Sequence, residues 1–160
     1  MDFGSWCEFE DLLFGLAEKP GWKPTKGGYT KDKVPAPLIS PATYNEGTTR
    51  ANKNVASWAG WAALDVDDYE GSFADALKVF SRVRYVCYSS ASSTKEHPKF
   101  RVVIPLTKSV PAEKIRHFWS ALNGEYNELS DPQTKDLSRM YYVPAKYEGS
   151  DNQFIFSHAG

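Results

Sequence analysis

The sequence has little cysteine, almost no net charge and no long apolar run, and each absence excludes a class of protein. Its two cysteines, Cys7 and Cys87, lie far apart and lack a C-x-x-C or C-x-x-H context, which argues against a structural zinc site. The net charge of −1 provides no overall basic field for nonspecific duplex binding, so a nucleic-acid site would have to be local. No apolar stretch approaches the roughly 18 residues that a membrane-spanning helix needs, and the acidic N-terminus does not resemble a signal peptide. We therefore expect a cytoplasmic protein that does not bind membranes.

The length and composition suit one globular domain over residues 1–160. With 160 residues, of which 41% are hydrophobic, the chain can bury a core of its own. Within it, residues 18–54 contain five prolines and seven basic against three acidic residues, without a sustained hydrophobic period. This composition predicts a long basic loop region. The region is either a solvated surface arm or a nucleic-acid contact, for which Lys31, Lys33 and Arg50 are the candidate residues.

Hydrophobic patterns and capping residues predict an α+β fold. Ser5 and Glu8 have the spacing of a capping box, and the apolar residues after them predict a helix that ends at about Ala17. From residue 57 onward, the patterns alternate in the order β-α-β-β-α-β. The predicted elements are a strand over 57–67, a helix from Ser72, the strands "RVRYVCYSS" and "KFRVVIPLT", a helix opened by Pro111, and the strand "RMYYVP".

This order is the RRM-like, or split βαβ, arrangement. Two helices cover one face of an antiparallel sheet, and the first and third strands are expected side by side at its centre. The predicted core spans residues 57–145, and the segment "NQFIFSH" is expected to extend the sheet.

The segment "LDVDD" places three carboxylates at the end of an otherwise apolar strand. Strand side chains alternate between faces, so Asp65 and Asp67 point the same way, with Cα atoms roughly 6.6 Å apart, whereas Asp68 points the other way. Adjacent like charges repel, and their desolvation is costly, which indicates that a positive group is bound there. Mg²⁺ prefers such oxygen ligands. The alternative is an acidic turn with no ligand.

Other polar residues are predicted to converge on this strand end. If the first and third strands are neighbours, Arg101 and the hairpin loop at 90–97 can approach it, and the loop that carries Asp131 can reach the same edge. Arg101 and Arg139 would then supply the guanidinium groups that commonly bind phosphate oxygens. The alternatives are a strand residue on a solvated face for Arg101 and an ordinary strand-start charge for Arg139. Carboxylates with divalent metal ions and arginines are the components of two-metal phosphoryl transfer.

The sequence resembles the catalytic domain of archaeo-eukaryotic primases, in the primase-polymerase branch of phage and plasmid replication proteins. The motifs that carry the resemblance are "LDVDD", "KFRVVIPL" and "SDPQTKDLSRMYYVP", in that order, within roughly residues 30 to 145. The resemblance implies that Asp65, Asp67 and Asp131 hold two Mg²⁺ or Mn²⁺ ions and carry catalysis. It also implies nucleoside triphosphates as substrates, a single-stranded DNA template with a primer, and a helicase domain in the same polypeptide or replisome. We expect the isolated domain to be a monomer, located in a bacterial cytoplasm if a phage encodes it.

One position departs from the family pattern. The family has a Ser-x-His in the hairpin, whose histidine contacts the phosphates of the nucleotide, but this chain has Ser93 where the histidine is expected. Three alternatives stay open. His97 reaches back from the loop, or the hydroxyls of Ser92, Ser93 and Thr94 bind the triphosphate with Arg101, or activity has been lost.

Three functions fit these residues. The favoured one is a template-directed nucleotidyltransferase, that is, a DNA primase or DNA polymerase, with a triphosphate site formed by Ser92, Ser93, His97, Arg101 and Arg139. The second is a metal-dependent nuclease, which would need no triphosphate site. The third is a catalytically inactive module that binds single-stranded nucleic acid on an RRM-like sheet, which requires exposed aromatic residues on the central strands. The segment "KFRVVIPL" offers only Phe100 for that purpose.

Overall fold

A computed structural model of the chain describes residues 5–22, 35–67 and 69–160. Within these ranges the chain forms three α-helices and eleven short strands. The helices are α1 (Trp6–Ala17), α2 (Phe73–Lys78) and α3 (Ile115–Glu125). The strands are β1 (Pro20–Gly21), β2 (Leu38–Ile39), β3 (Ala42–Tyr44), β4 (Val55–Trp58), β5 (Trp61–Val66), β6 (Arg84–Ser89), β7 (Phe100–Pro105), β8 (Val110–Pro111), β9 (Tyr141–Tyr142), β10 (Lys146–Tyr147) and β11 (Ile155–Ala159). Short 3₁₀ turns cover Asn52–Asn54, Ala112–Lys114 and Pro132–Lys135. The predicted α+β class is confirmed.

The starts of α1 and α2 follow from their capping residues. The Ser5 hydroxyl accepts a hydrogen bond from the Glu8 backbone N–H at 3.2 Å, and the Ser72 hydroxyl accepts one from the Asp75 N–H at 3.2 Å. Each hydroxyl satisfies a backbone donor that has no partner within the first helical turn. The predicted cap by Ser5 and the predicted end of α1 at Ala17 are therefore confirmed.

A four-stranded antiparallel sheet in the order β11-β6-β7-β5 forms the centre of the fold. Every residue of β5 is buried, and its alternating side chains enter two different cores. Ala62 and Leu64 face the side that α2 and α3 cover, where they pack near Phe80 and Trp119. Trp61 and Ala63 face the opposite side, where Phe9 and Leu13 of α1 complete the core. The expectation that two helices cover one face is thus confirmed, and α1 covers part of the other face.

Two strand predictions need correction. The predicted strand over 57–67 is two strands, β4 and β5, because the chain turns at Gly60, whose φ of 84° lies in the left-handed region that favours glycine. The segment "RMYYVP" does not enter the central sheet. Only Tyr141 and Tyr142 are in a strand, and they pair with Leu38 and Ile39.

The second difference has a physical cause. The segment around Tyr141 crosses the face of the sheet, because the Tyr141 ring lies over the Arg101 guanidinium at 4.6 Å and the Tyr142 carbonyl accepts a hydrogen bond from Arg101 at 2.8 Å. The predicted neighbourhood of the first and third strands is confirmed, since β5 pairs with β7. In the described part of the chain, however, β5 is an edge strand of this sheet, and "NQFIFSH" supplies β11 at the opposite edge.

Candidate active site at the end of strand β5

Asp65 and Arg101 form a buried ion pair on the sheet face opposite α2. They are direct cross-strand partners, and Tyr88 on β6 is the next residue in the same row. Asp65 is 6% and Arg101 7% exposed, and Arg101 Nη2 donates to Asp65 Oδ2 at 2.9 Å. Arg101 Nη1 donates to the Tyr88 hydroxyl at 3.2 Å and to the Tyr142 carbonyl at 2.8 Å. These bonds offset the desolvation cost of burying two charges.

The Asp65–Arg101 pair leaves two buried polar atoms, Asp65 Oδ1 and Arg101 Nε, without a hydrogen-bond partner among the described residues. An unpaired buried carboxylate oxygen is unfavourable unless it binds a proton donor or a cation. Asp65 therefore has one oxygen committed to Arg101 and one available to a ligand.

The turn after α3 places Asp131 beside the end of β5. Asn127 and Glu128 adopt positive φ angles of 59° and 55°, which reverse the chain. The Asp65 N–H then donates to the Ser130 hydroxyl at 3.0 Å, and the Asp131 N–H donates to the Asp65 carbonyl at 2.8 Å. Asp131 is thus attached to β5 through the backbone, and the predicted approach of its loop to Asp65 is confirmed.

Asp67 and Asp131 line one cleft of about 430 Å³, together with Tyr69, Glu128, Leu129, Ser130 and Pro132. Burial raises the pKa of Asp67, and so do the nearby charges of Asp65 and Asp131, against the opposing effects of Lys99 and Arg101. The three predicted aspartates are therefore close enough to interact electrostatically. Asp68 lies outside the described residues.

The hairpin loop between β6 and β7 returns His97 to the first strand. His97 Nε2 is 2.8 Å from the Asp67 carbonyl oxygen, and the His97 backbone N–H donates to Thr94 Oγ1 at 2.9 Å. Ser93 is buried, and its hydroxyl accepts hydrogen bonds from the Lys99 N–H at 3.0 Å and from Asn152 Nδ2 at 2.8 Å. Ser92 is exposed. The loop thus brings His97 back to Asp67, while the assignment of His97 or of the hydroxyls to the triphosphate stays a prediction.

Lys99 is a site residue that the sequence reasoning missed. Val66 pairs with Phe100, so Asp67 and Lys99 occupy the next cross-strand position beyond them. The Lys99 charge lowers the pKa of Asp67, against the larger effect of burial. The signal was present in the sequence, because "DVD" on one strand and "KFR" on its antiparallel neighbour alternate charge and apolar side chain in the same way.

The remaining predicted residues lie on loops beside this edge. Arg139 is half-buried, and its Nε has no hydrogen-bond partner among the described residues. The charge of Arg139 lowers the pKa of Tyr141, whereas the charge of Asp65 raises it. Arg50 is exposed, and its Nη2 donates to the Ser138 carbonyl at 3.2 Å, so Arg50 lies close to the residue before Arg139. Lys31 and Lys33 lie outside the described residues.

The described residues contain no group of three or more His, Cys, Asp and Glu side chains already arranged to hold a metal ion. No described helix is long and apolar enough to cross a membrane.

The family model of the VapE N-terminal domain matches residues 42–159. The chain belongs to this family. VapE-type proteins are associated with phage and plasmid replication, which agrees with the replication context that the sequence motifs indicated, whereas the match does not itself show a primase-polymerase domain. The match to the VapE domain includes β5, β6, β7, α3 and the Asp131 loop, and therefore every described residue that lines the cleft. No curated protein and no solved structure matches the chain.

Proposed function

We propose that this VapE-family domain is a template-directed nucleotidyltransferase that joins nucleoside triphosphates during phage or plasmid DNA replication. The observation that carries the proposal is the meeting of Asp67 and Asp131, from two separate segments, in one cleft beside Asp65. Cationic side chains, Lys99 and Arg101, face the carboxylates from the neighbouring strand. Carboxylates alone suit metal-dependent hydrolysis as well, but adjacent cations add a place for the phosphates of a nucleotide.

The residues at this strand end fit divalent metal ions in part. Mg²⁺ is usually held by one or two carboxylates together with substrate phosphates and water, so a complete protein cage is not required. Asp67 and Asp131 provide two carboxylates on a shared cleft, and their like charges favour a cation between them. The partnerless Asp65 Oδ1 provides a third oxygen. We therefore assign Asp65, Asp67 and Asp131 as the residues that would hold Mg²⁺ or Mn²⁺.

The chain's own residues would orient the reacting groups. Arg101 fixes Asp65, the Asp131 N–H fixes its loop to β5, and His97 fixes the end of the strand at Asp67. Bound divalent ions would supply activation of the primer 3′-hydroxyl and neutralisation of the charge that develops on the triphosphate. Arg139 is half-buried beside this edge, its charge lowers the pKa of Tyr141, and we assign it to a phosphate or a template contact.

The sheet surface does not favour a purely binding function of the RRM type. Phe100, the aromatic residue of β7, is 1% exposed and belongs to the core beneath α2. The opposite face carries Tyr88, which is buried. Its hydroxyl accepts a hydrogen bond from Arg101 and donates one to the Tyr142 carbonyl. Neither ring is available for a stacked base.

The test is extension of a labelled primer on a single-stranded template with Mn²⁺ or Mg²⁺ and nucleoside triphosphates. We expect the wild type to lengthen the primer and Asp131→Asn to abolish this activity. Asp136→Asn is the matched control, because Asp136 is an exposed carboxylate on the same loop. Shortening of the labelled strand without extension would instead identify a nuclease, and neither reaction under any metal would contradict the proposal.

A further inference from the structure

Strands β5 and β7 carry two carboxylates opposite two cations. Asp65 pairs with Arg101 and Val66 with Phe100, so Asp67 faces Lys99 at the next position along both chains. Val66 and Phe100 point into the core beneath α2, so the alternation of side chains turns the two charged pairs to the other face. Two pairs of the same chemical type therefore lie side by side at the end of one sheet.

The inner cation, Arg101, is buried and is held by partners within the protein. Its two terminal nitrogens donate to Asp65, Tyr88 and the Tyr142 carbonyl, and the Tyr141 ring covers the guanidinium. A triphosphate that displaced Asp65 from Arg101 would leave the Asp65 carboxylate buried without its counter-charge, which is strongly unfavourable.

The outer cation, Lys99, has a fixed backbone and an ammonium that has no hydrogen-bond or ion-pair partner among the described residues. The Lys99 N–H donates to the Ser93 hydroxyl at 3.0 Å, and the Lys99 carbonyl accepts from the Ser90 N–H at 2.9 Å. Ser93 is in turn held by Asn152. The Lys99 charge lowers the pKa of Asp67, and the side chain is half-exposed. Because the backbone is held in this way, the Lys99 ammonium lies near Asp67, and an ammonium has three N–H donors that can bind phosphate oxygens.

We propose that Lys99 is the side chain that binds the phosphates of the incoming nucleotide, and that Arg101 is a positioning residue for Asp65. The assignment rests on the proposed function and names the residue that holds its substrate. A polyphosphate that approaches three aspartates meets strong repulsion, which a neighbouring ammonium reduces. Lysine acts as a compact point charge whose donors rotate to follow phosphate oxygens.

The test is the affinity of Lys99→Met for a nonhydrolysable α,β-imido deoxynucleoside triphosphate and for inorganic tripolyphosphate, by calorimetry with and without Mn²⁺. Methionine retains the unbranched apolar chain and removes the charge. We expect both dissociation constants, and the nucleotide KM, to rise by about ten- to a hundredfold, which corresponds to one charge-assisted contact. Lys99→Arg is expected to restore part of the loss.

The matched control is Lys95→Met, which removes the same charge from an exposed position in the same hairpin loop. Equal effects of the two variants would overturn the assignment, because they would show only a general field of positive charge. A wild type that extends primers while Lys99→Met keeps its KM would overturn the Lys99 assignment and leave the proposed function intact. A wild type that binds neither the nucleotide analogue nor tripolyphosphate would overturn the Lys99 assignment and the proposed function together.

Discussion

The two charged pairs at the end of β5 differ in burial more than in chemistry. The Asp65–Arg101 pair is covered by Tyr141 and Tyr142 and has hydrogen-bond partners on several sides. Asp67, one position further out, lines a cleft and faces the half-exposed Lys99, whose charge lowers the pKa of Asp67. A buried ion pair must be satisfied internally to be tolerated, whereas a half-exposed carboxylate and cation can exchange partners with a ligand. Burial therefore separates a pair that holds the strands in place from a pair that is free to bind.

The largest effect is expected from the outer carboxylate. Asp67→Asn should reduce nucleotide incorporation to background, at least about a hundredfold, because it removes a charged oxygen from the proposed metal site. The measurement is primer extension, and binding of Mn²⁺ followed by electron paramagnetic resonance gives an independent readout. Incorporation at the wild-type rate would show that the open pair has no catalytic part.

The inner pair is expected to dominate stability instead. Arg101→Met should lower the free energy of unfolding by about 3–5 kcal/mol, because it leaves the Asp65 carboxylate buried without a counter-charge. Lys99→Met should change it by less than about 0.5 kcal/mol. Denaturant titration of both variants measures the difference. The double variant Asp65→Leu/Arg101→Met should recover most of the loss, since neither charge is then left alone. Similar losses for Arg101→Met and Lys99→Met would remove the distinction between the pairs.

The pH dependence of stability is expected to follow the outer carboxylate. The pKa of Asp67 is raised above its ordinary value of 3.8 in the folded protein, chiefly by burial and then by the charge of Asp65. The protonated form of Asp67 is therefore favoured by folding. Its stabilising contribution is fully present below the unfolded-state pKa, and it is lost as the pH rises through the folded-state pKa.

Metal-free denaturant titrations between pH 3 and pH 7 test this dependence. The free energy of unfolding of Asp67→Asn should rise relative to that of the wild type as the pH rises, by up to about 1 kcal/mol after solvent screening. A difference between the two proteins that does not change with pH would contradict the assigned electrostatic coupling.

The smallest effect concerns nucleic-acid contacts away from both pairs. Arg50→Ala should weaken single-strand binding and reduce the slope of log affinity against log salt by about one, because one fewer counterion is released. Arg116→Ala, an exposed arginine on α3, is the matched control. The predicted contributions of Lys31 and Lys33 can be measured in the same assay. An unchanged slope for Arg50→Ala would show that this loop is a solvated surface arm that does not contact nucleic acid.

Local signals in the sequence were sufficient for much of the fold. The capping residues Ser5 and Ser72 mark helix starts because their hydroxyls act within three residues along the chain. The neighbourhood of β5 and β7 followed from the β-α-β-β-α-β order, and it brought Asp65 next to Arg101. In contrast, β9 was misplaced because its partners, Leu38 and Ile39, lie in a region without hydrophobic period, so no pattern indicated the pairing.

The site itself was predicted less completely, because it depends on register and loop conformation. A one-residue shift in pairing changes which cation faces which aspartate, so the alternation in "DVD" and "KFR" identifies Lys99 only in combination with the register of Val66 with Phe100. The position of His97 depends on its contact with the Asp67 carbonyl and on the Thr94 hydroxyl, and neither follows from motif spacing. Arg101 was predicted as a phosphate ligand, since a guanidinium on a strand gives no sign of being covered by Tyr141.

The most direct test of the central claim is a crystal structure with Mn²⁺ and a nonhydrolysable nucleoside triphosphate, with the metal located by its anomalous scattering. We predict metal bonded to the carboxylates of Asp67 and Asp131, and triphosphate oxygens within hydrogen-bond distance of Lys99 Nζ, while Arg101 keeps its bond to Asp65. Metal and nucleotide bound elsewhere on the protein, or a triphosphate held by Arg101 after its separation from Asp65, would contradict the account.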